Sequence, residues 1–142
     1  DARFRLNTRT SIGAGYQFAN ARVDQFAENT ALEGNILPQV PRHQFTVDFA
    51  YSDPRRITLA LLGRYLGQQF DDDVNQFPLE RFFNLDASVS RPLRPGIELF
   101  AAAENLTNSR YTIGRTPVRT IAPPIFARVG LRFQLGEGRA TQ

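Results

Sequence analysis

From Gln44 to Ser52 every second residue belongs to one of two unlike sets. Phe45, Val47, Phe49 and Tyr51 fall on one face, and Gln44, Thr46, Asp48, Ala50 and Ser52 on the other. A period of two predicts a strand with one apolar and one polar side. Five further stretches repeat the pattern. From Leu6 to Phe18, Ile12, Ala14, Tyr16 and Phe18 oppose Ser11, Gly13, Gly15 and Gln17, with Arg5, Asn7 and Arg9 extending the polar row. From Arg56 to Phe70 the apolar row is Ile57, Leu59, Leu61 and Tyr65, and Ala60, Leu62 and Leu66 make the opposite face less polar than elsewhere. Phe83, Leu85, Ala87 and Val89 oppose Asn84, Asp86, Ser88 and Ser90, and Ile97, Leu99, Ala101 and Ala103 oppose Glu98, Phe100, Ala102 and Glu104. In the last stretch Ala127, Val129, Leu131, Phe133 and Leu135 face away from Arg128, Gly130, Arg132 and Gln134.

The connections alternate as well. Residues 25–42, 71–80 and 107–124 are long and polar, whereas 52–55 and 91–96 are short and carry turn chemistry in Ser52-Asp-Pro-Arg and Pro92-Leu-Arg-Pro-Gly. Short turns at one end and long loops at the other suit a transmembrane β-barrel, with the turns on the periplasmic side. The expected fold is all-β, an antiparallel meander of about six long strands.

Energy assigns the faces. An arginine turned to lipid at the bilayer midplane of a barrel costs about 2 to 4 kcal/mol, so Arg128 and Arg132 belong inside with Arg5, Arg9, Asp86 and Glu98. The Phe, Leu, Val and Ile rows then meet lipid. A soluble barrel would reverse this geometry and carry the same alternation. About six strands fall short of the roughly eight that close a membrane barrel, and open edges in lipid leave backbone groups unpaired. Further strands are expected before Asp1.

Composition narrows the partners. No run of about 18 apolar residues offers a transmembrane helix, and no charged-then-apolar leader is present, so the chain reads as a piece of a longer protein. Cysteine is absent, which removes disulfides and thiolate chemistry. All 17 basic residues are arginine, spread along the chain without a basic run, and the aromatics lie on strand faces, so no nucleic-acid partner is expected.

Four stretches then carry a family resemblance. Leu37-Pro-Gln-Val-Pro-Arg-His43 before a strand, Arg64-Tyr-Leu-Gly67 followed by Asp71, Asp72 and Asn75, Glu104-Asn-Leu-Thr-Asn-Ser-Arg-Tyr111, and Val129-Gly-Leu-Arg-Phe133 resemble, in order and spacing, late-strand elements of TonB-dependent outer-membrane receptors. The resemblance implies that 1–142 is the C-terminal segment of a 22-stranded barrel plugged by an N-terminal domain. It implies a Gram-negative outer membrane, with lipid, the plug and remaining strands, TonB and the barrel-assembly machinery as partners. It implies uptake of a scarce small molecule such as a ferric siderophore or cobalamin. Val129, Leu131 and Phe133 would be read as the assembly signal. Thr107-Asn108 stands where the family usually has an aromatic and an acid, and residues 136–142 read as a flexible tail beyond Phe133. A passive porin-like or adhesin barrel and a soluble β-rich binding module remain alternatives.

Candidate chemistry is thin. Asp71-Asp-Asp73 with Asn75 resembles a hard-cation cluster, yet it lacks the spaced ligands and glycine of a calcium loop and reads as a solvated acidic loop. His43 is the single histidine, so neither a histidine metal triad nor a Ser-His-Asp arrangement can be assembled, and it is expected to pack at a strand's outer end. Asp86 and Glu98 read as salt-linked carboxylates in preference to a glycosidase couple. No catalysis, cofactor or metal is expected. Arg64, Arg110, Arg115 and Arg119, with Arg42, lie toward the long-loop end and suit an anionic ligand.

Overall fold

The computed structural model describes residues 1–134, so Leu135 and the expected tail over 136–142 lie outside the described residues. Seven strands form one antiparallel sheet in the order β1 (Ala2–Arg5), β2 (Thr10–Phe18), β3 (His43–Asp53), β4 (Ile57–Leu66), β7 (Phe82–Arg94), β8 (Ile97–Glu104) and β11 (Phe126–Phe133). Two small hairpins sit in the long connections, β5 (Gln69–Phe70) with β6 (Pro78–Leu79) and β9 (Thr112–Gly114) with β10 (Thr120–Ile121). A single 3-10 turn, Thr30–Leu32, lies in the first long connection. No helix among the described residues is long and apolar enough to cross a membrane.

The stretch expected as one strand from Leu6 to Phe18 is a turn followed by a strand. Asn7 accepts the N–H of Arg9 at 2.8 Å through its side-chain oxygen, and Leu6 donates to the carbonyl of Thr10 at 2.9 Å. That local Asx bond competes with extended backbone and reverses the chain. Arg5 therefore belongs to the preceding strand, opposite Ser11. Arg9 sits in the turn, where it pairs with the buried carboxylate of Asp53 at 3.1 Å.

The other short turns are tighter than expected. Arg56 donates to the carbonyl of Asp53 at 2.9 Å and closes the first. The last is Pro95-Gly96 alone, because β7 runs on to Arg94 through an irregularity between Pro92 and Arg94. Gly96 adopts φ +77°, open to glycine, and a Cβ there would meet the Gln134 carbonyl oxygen at 2.8 Å.

Register carries the alternation across the whole sheet. Phe4, Ile12, Phe49, Leu61, Ala87, Ala103 and Ala127 form one unbroken apolar row over all seven strands. Arg3, Gly13, Asp48, Leu62 and Asp86 form a row on the opposite face. Among the described residues only Leu79 and Ala122 are buried apolar residues, while Phe4, Val129 and Phe133 are 66%, 73% and 64% exposed. The apolar face therefore has no protein core to cover it. Soluble monomers rarely leave apolar patches beyond a few hundred Å² open to water, so this face calls for lipid.

Candidate functional site

The polar face is laced by ion pairs between strands. Arg3 meets Asp48 at 3.2 Å across Gly13, Arg64 meets Asp86 at 3.2 Å, Arg132 meets Glu98 at 2.6 Å and Arg128 meets Glu104 at 3.9 Å. Such solvent-screened pairs stabilise the sheet little. Their value is diagnostic, because charges at these registers are tolerable only away from lipid. Asp86 and Glu98 are each tied to a different arginine. Phe100, the one aromatic of β8 on this face, lies over Gly130, with the guanidinium of Arg132 5.5 Å from its ring centroid.

The opposite face concentrates aromatics at the long-loop end. Tyr16 and Phe45 have ring centroids 4.5 Å apart, Phe45 and Tyr65 6.0 Å, and Tyr65 is in register with Phe83. The Tyr16 hydroxyl and His43 Nδ1 share a hydrogen bond of 2.9 Å, and His43 packs 5.3 Å from Phe18. His43 thus serves the aromatic band at the strand's outer end, as expected from sequence. Such a band suits one interfacial girdle of a barrel.

Above the sheet the long connections are knitted together. One carboxylate oxygen of Asp71 accepts the backbone N–H groups of Arg115 and Thr116 and the Thr116 hydroxyl, each at 2.7 Å. The other accepts the Gln39 amide at 2.9 Å. Asp71 therefore joins all three long connections. The hydroxyl of Thr116 and the backbone N–H of Arg115 hold its pKa down at about 2, against an ordinary 3.8. Asn75 pairs side chain to backbone with Ile36, donating to its carbonyl and accepting its N–H at 2.8 Å each, and the Asn35 amide donates to the Asp73 carbonyl at 3.0 Å. Asp72 receives the N–H groups of Phe77 at 2.7 Å and Gln76 at 2.9 Å, closing the β5–β6 hairpin.

The 71–75 segment is an acidic loop open to solvent, as read from sequence, but two of its carboxylates are ordered. The carboxylates of Asp71 and Asp72 are occupied by protein donors, because aspartate after a strand readily captures the N–H groups of a returning turn. Among the described residues no group of three or more His, Cys, Asp or Glu side chains is placed to hold a metal ion.

The next segment is organised by Asn105, which is 5% exposed at φ +53°. Its amide donates to the carbonyls of Ser109 and Pro123 at 3.0 and 2.9 Å, and its side-chain oxygen accepts the Ser109 N–H at 2.9 Å. Its own N–H donates to Asp86 at 3.0 Å, so the turn is tied to the Arg64–Asp86 pair below it. Thr107 and Ser109 both donate to the Phe83 carbonyl, and Tyr111 stacks on Phe82 with centroids 3.5 Å apart. The departure at Thr107-Asn108 builds a polar turn.

The sequence-predicted arginines do not converge as one set. Arg64 lies on the wall, paired with Asp86, beside a cavity of about 390 Å³ that Ser88, Glu104 and Arg128 also line. Arg115 and Arg119 share the β9–β10 hairpin, the second of them donating to the buried Thr112 hydroxyl at 3.3 Å. Arg110 is exposed in the turn that Asn105 holds, and Arg42 leads into β3. Val129, Leu131 and Phe133 lie on the apolar face of β11, in register with Ala101, Leu99 and Ile97. Sequence reasoning missed Asp71, Asn75 and Asn105 as organisers. The signal was faint: Asn75 and Asn105 adopt positive φ, which asparagine tolerates better than most residues.

A continuous antiparallel sheet with an uncovered apolar face, an ion-paired opposite face, tight turns at one end and knitted loops at the other defines a segment of a transmembrane β-barrel wall. The family described as TonB dependent receptor-like, beta-barrel matches residues 1–106, and the chain belongs to it. It is 27% identical over 93 residues to the ferrichrome outer membrane transporter/phage receptor of Escherichia coli K12, a match covering 63% of this chain and 12% of that protein. The siderophore receptor PiuA from Acinetobacter baumannii superposes with a TM-score of 0.78 at 18% identity, over 92% of this chain and 20% of its own. The ferric yersiniabactin uptake receptor FyuA from Yersinia pestis gives a TM-score of 0.75 at 17% identity, over 92% and 22%. The chain thus spans about an eighth to a fifth of the relatives it matches. This is a family of transport receptors, not of enzymes.

Proposed function

We propose that this chain is the C-terminal wall segment of an outer-membrane receptor that imports a scarce ligand, such as a ferric siderophore, with energy delivered through TonB. The single observation that carries the reading is the two-faced sheet, apolar on one side and ion-paired on the other, within the receptor barrel family. The similar receptors named above are siderophore and ferric-complex receptors, and the ligand class comes from them.

Among the described residues β1 and β11 each have one neighbour in the sheet, which supports further wall strands in the same protein. Arg115 and Arg119 are the ligand-contacting candidates best placed in the knitted loops, where a guanidinium meets carboxylate or catecholate oxygens from outside the cell.

Uptake of radioactive iron by iron-starved cells tests the proposal. A panel of ferric siderophores is offered to cells with the receptor, without it, and with it in the absence of TonB. Loss of uptake of one siderophore in both deletions is the expected result. Uptake that persists without TonB points instead to a passive pore.

A further inference from the structure

The chain's positive charge gathers at the short-turn end. The stretches 5–9, 53–56 and 91–98 hold six arginines against two carboxylates, Asp53 and Glu98. Both carboxylates are already taken, Asp53 by Arg9 and Glu98 by Arg132. Arg5, Arg55, Arg56, Arg91 and Arg94 are exposed and make no ion pair among the described residues. The long-loop end is more nearly balanced: there aspartates and glutamates outnumber the arginines from Arg22 to Arg42 and from Asp71 to Arg81, while 107–124 holds Arg110, Arg115 and Arg119 and no carboxylate.

Arg91 fixes what this charge faces. It continues the apolar row of β7, two residues beyond Val89 on the same face, and pairs with Leu99, which in turn pairs with Leu131. An arginine in a lipid-facing row near a strand end is tolerated when its stem lies along the apolar surface and its guanidinium reaches the headgroup layer. Arg94 follows it at the end of β7, with Leu93 half exposed between them at 51%. Arg55 and Arg56 occupy the neighbouring turn, and their strand is paired with β7 up to Thr58 and Ser90. The Arg55–Arg56 turn and the adjacent end of β7 thus bring four arginines around one apolar edge.

We infer that this rim is a binding surface for the phosphate groups of glycerophospholipids in the leaflet that the short turns reach. The guanidinium fork binds phosphate oxygens in pairs, and arginines set at the membrane surface favour anionic headgroups. The apolar row beside Arg91 selects a lipid over a free phosphate, because it offers the acyl chains a surface contiguous with the site. The inference rests on the membrane-wall reading above and adds a lipid partner and a location to it.

Native mass spectrometry of the intact receptor, extracted in mild detergent and exposed to phosphatidylglycerol or phosphatidylethanolamine, tests the rim directly. Wild type is compared with a variant carrying Arg55→Gln, Arg56→Gln, Arg91→Gln and Arg94→Gln, and with an Arg110→Gln, Arg115→Gln control at the other end. Folding of each is checked by resistance to unfolding in cold SDS. The expected result is retained phosphatidylglycerol on wild type and control, reduced about tenfold in the rim variant, with a smaller change for phosphatidylethanolamine. Equal retention by folded wild type and rim variant overturns the inference while leaving the transport reading intact. Inorganic phosphate that displaces the lipid at millimolar concentration overturns the lipid assignment. A receptor recovered in the aqueous fraction without detergent overturns both readings.

Discussion

Asp71 and Thr116 lie 45 residues apart in sequence, yet one carboxylate oxygen accepts both the backbone N–H and the hydroxyl of Thr116 at 2.7 Å. With Gln39 on the other oxygen, a single side chain fastens three long connections to one another. These loops therefore form a collar with an internal frame, and ligand recognition at that end would begin from a partly organised surface.

Asp71→Ala is expected to release the β9–β10 hairpin, and Asp71→Asn to release it partly, since the amide oxygen still accepts. Hydrogen exchange at Arg115 and Thr116 should rise about tenfold or more in the alanine variant, with the exchange of β3 and β4 unchanged. The effect depends on pH in a defined direction. The carboxyl ionises at about 2 in the folded chain, below its ordinary 3.8, so its stabilisation is complete above about pH 4 and is lost as the pH falls through 2. Protection of these amides, exchange taken relative to the intrinsic rate at each pH, should fall in wild type over that window, and the alanine variant should lack that step.

The facing of β11 predicts a gradient. Val129 lies mid-strand and is 73% exposed, Leu131 is closer to the turn end and Phe133 is last. Arginine at these positions should hinder membrane assembly in the order Val129, Leu131, Phe133. The cost falls from about 2 to 4 kcal/mol at the bilayer midplane to about 0 to 1 near the interface. Arg132→Leu, on the other face, breaks the link to Glu98 and the contact over Phe100 and should cost less than Val129→Arg. Folding yields in lipid vesicles provide the measurement, and equal tolerance at all four positions would overturn the assigned faces.

A close approach under Phe100 gives a third expectation. A Cβ on Gly130 would stand 2.8 Å from two carbons of the Phe100 ring, which must swing aside and leave Arg132. Because the ring's far end can move, Gly130→Ala should cost about 1 kcal/mol, at the low end of overpacking. Phe100→Leu in the same chain should recover most of that loss. Urea unfolding in vesicles of the two single variants and the double variant closes the cycle, and strict additivity would show that the ring does not rest on Gly130.

The alternation of Phe45, Val47, Phe49 and Tyr51 was enough to place a strand and its faces, because lipid and lumen impose opposite chemistry on neighbouring residues. It could not reveal the reversal at Leu6–Arg9, where Arg5, Asn7 and Arg9 keep the polar spacing while the Asn7 side chain bends the chain. The collar was hidden for a different reason. Asp71, Asn75 and Asn105 act through backbone groups up to 45 residues away, and backbone groups have no letter in the sequence. The loop arginines were visible as charges, but their distribution between the wall at Arg64 and the hairpin at Arg115 and Arg119 depends on that hidden frame.

Asn105 offers the sharpest separation of backbone from side-chain effects. Three features meet there: a positive φ, two donated hydrogen bonds to the carbonyls of Ser109 and Pro123, and one accepted from the Ser109 N–H. Asn105→Gly keeps the backbone conformation and loses all three bonds. Asn105→Asp keeps the acceptor but replaces both donors with an oxygen turned toward two carbonyls, in a buried setting beside the carboxylate of Asp86. An ionised aspartate there meets unfavourable dipoles and a like charge, so Asn105→Asp should be the more damaging change at neutral pH. Protonation restores one donor, and the aspartate variant should regain stability as the pH is lowered toward 5, while the glycine variant should not. The readout is hydrogen exchange across 105–111. A glycine variant more disrupted than the aspartate variant at neutral pH would mean that the accepted bond from Ser109, not the two donated ones, holds this turn above the barrel wall.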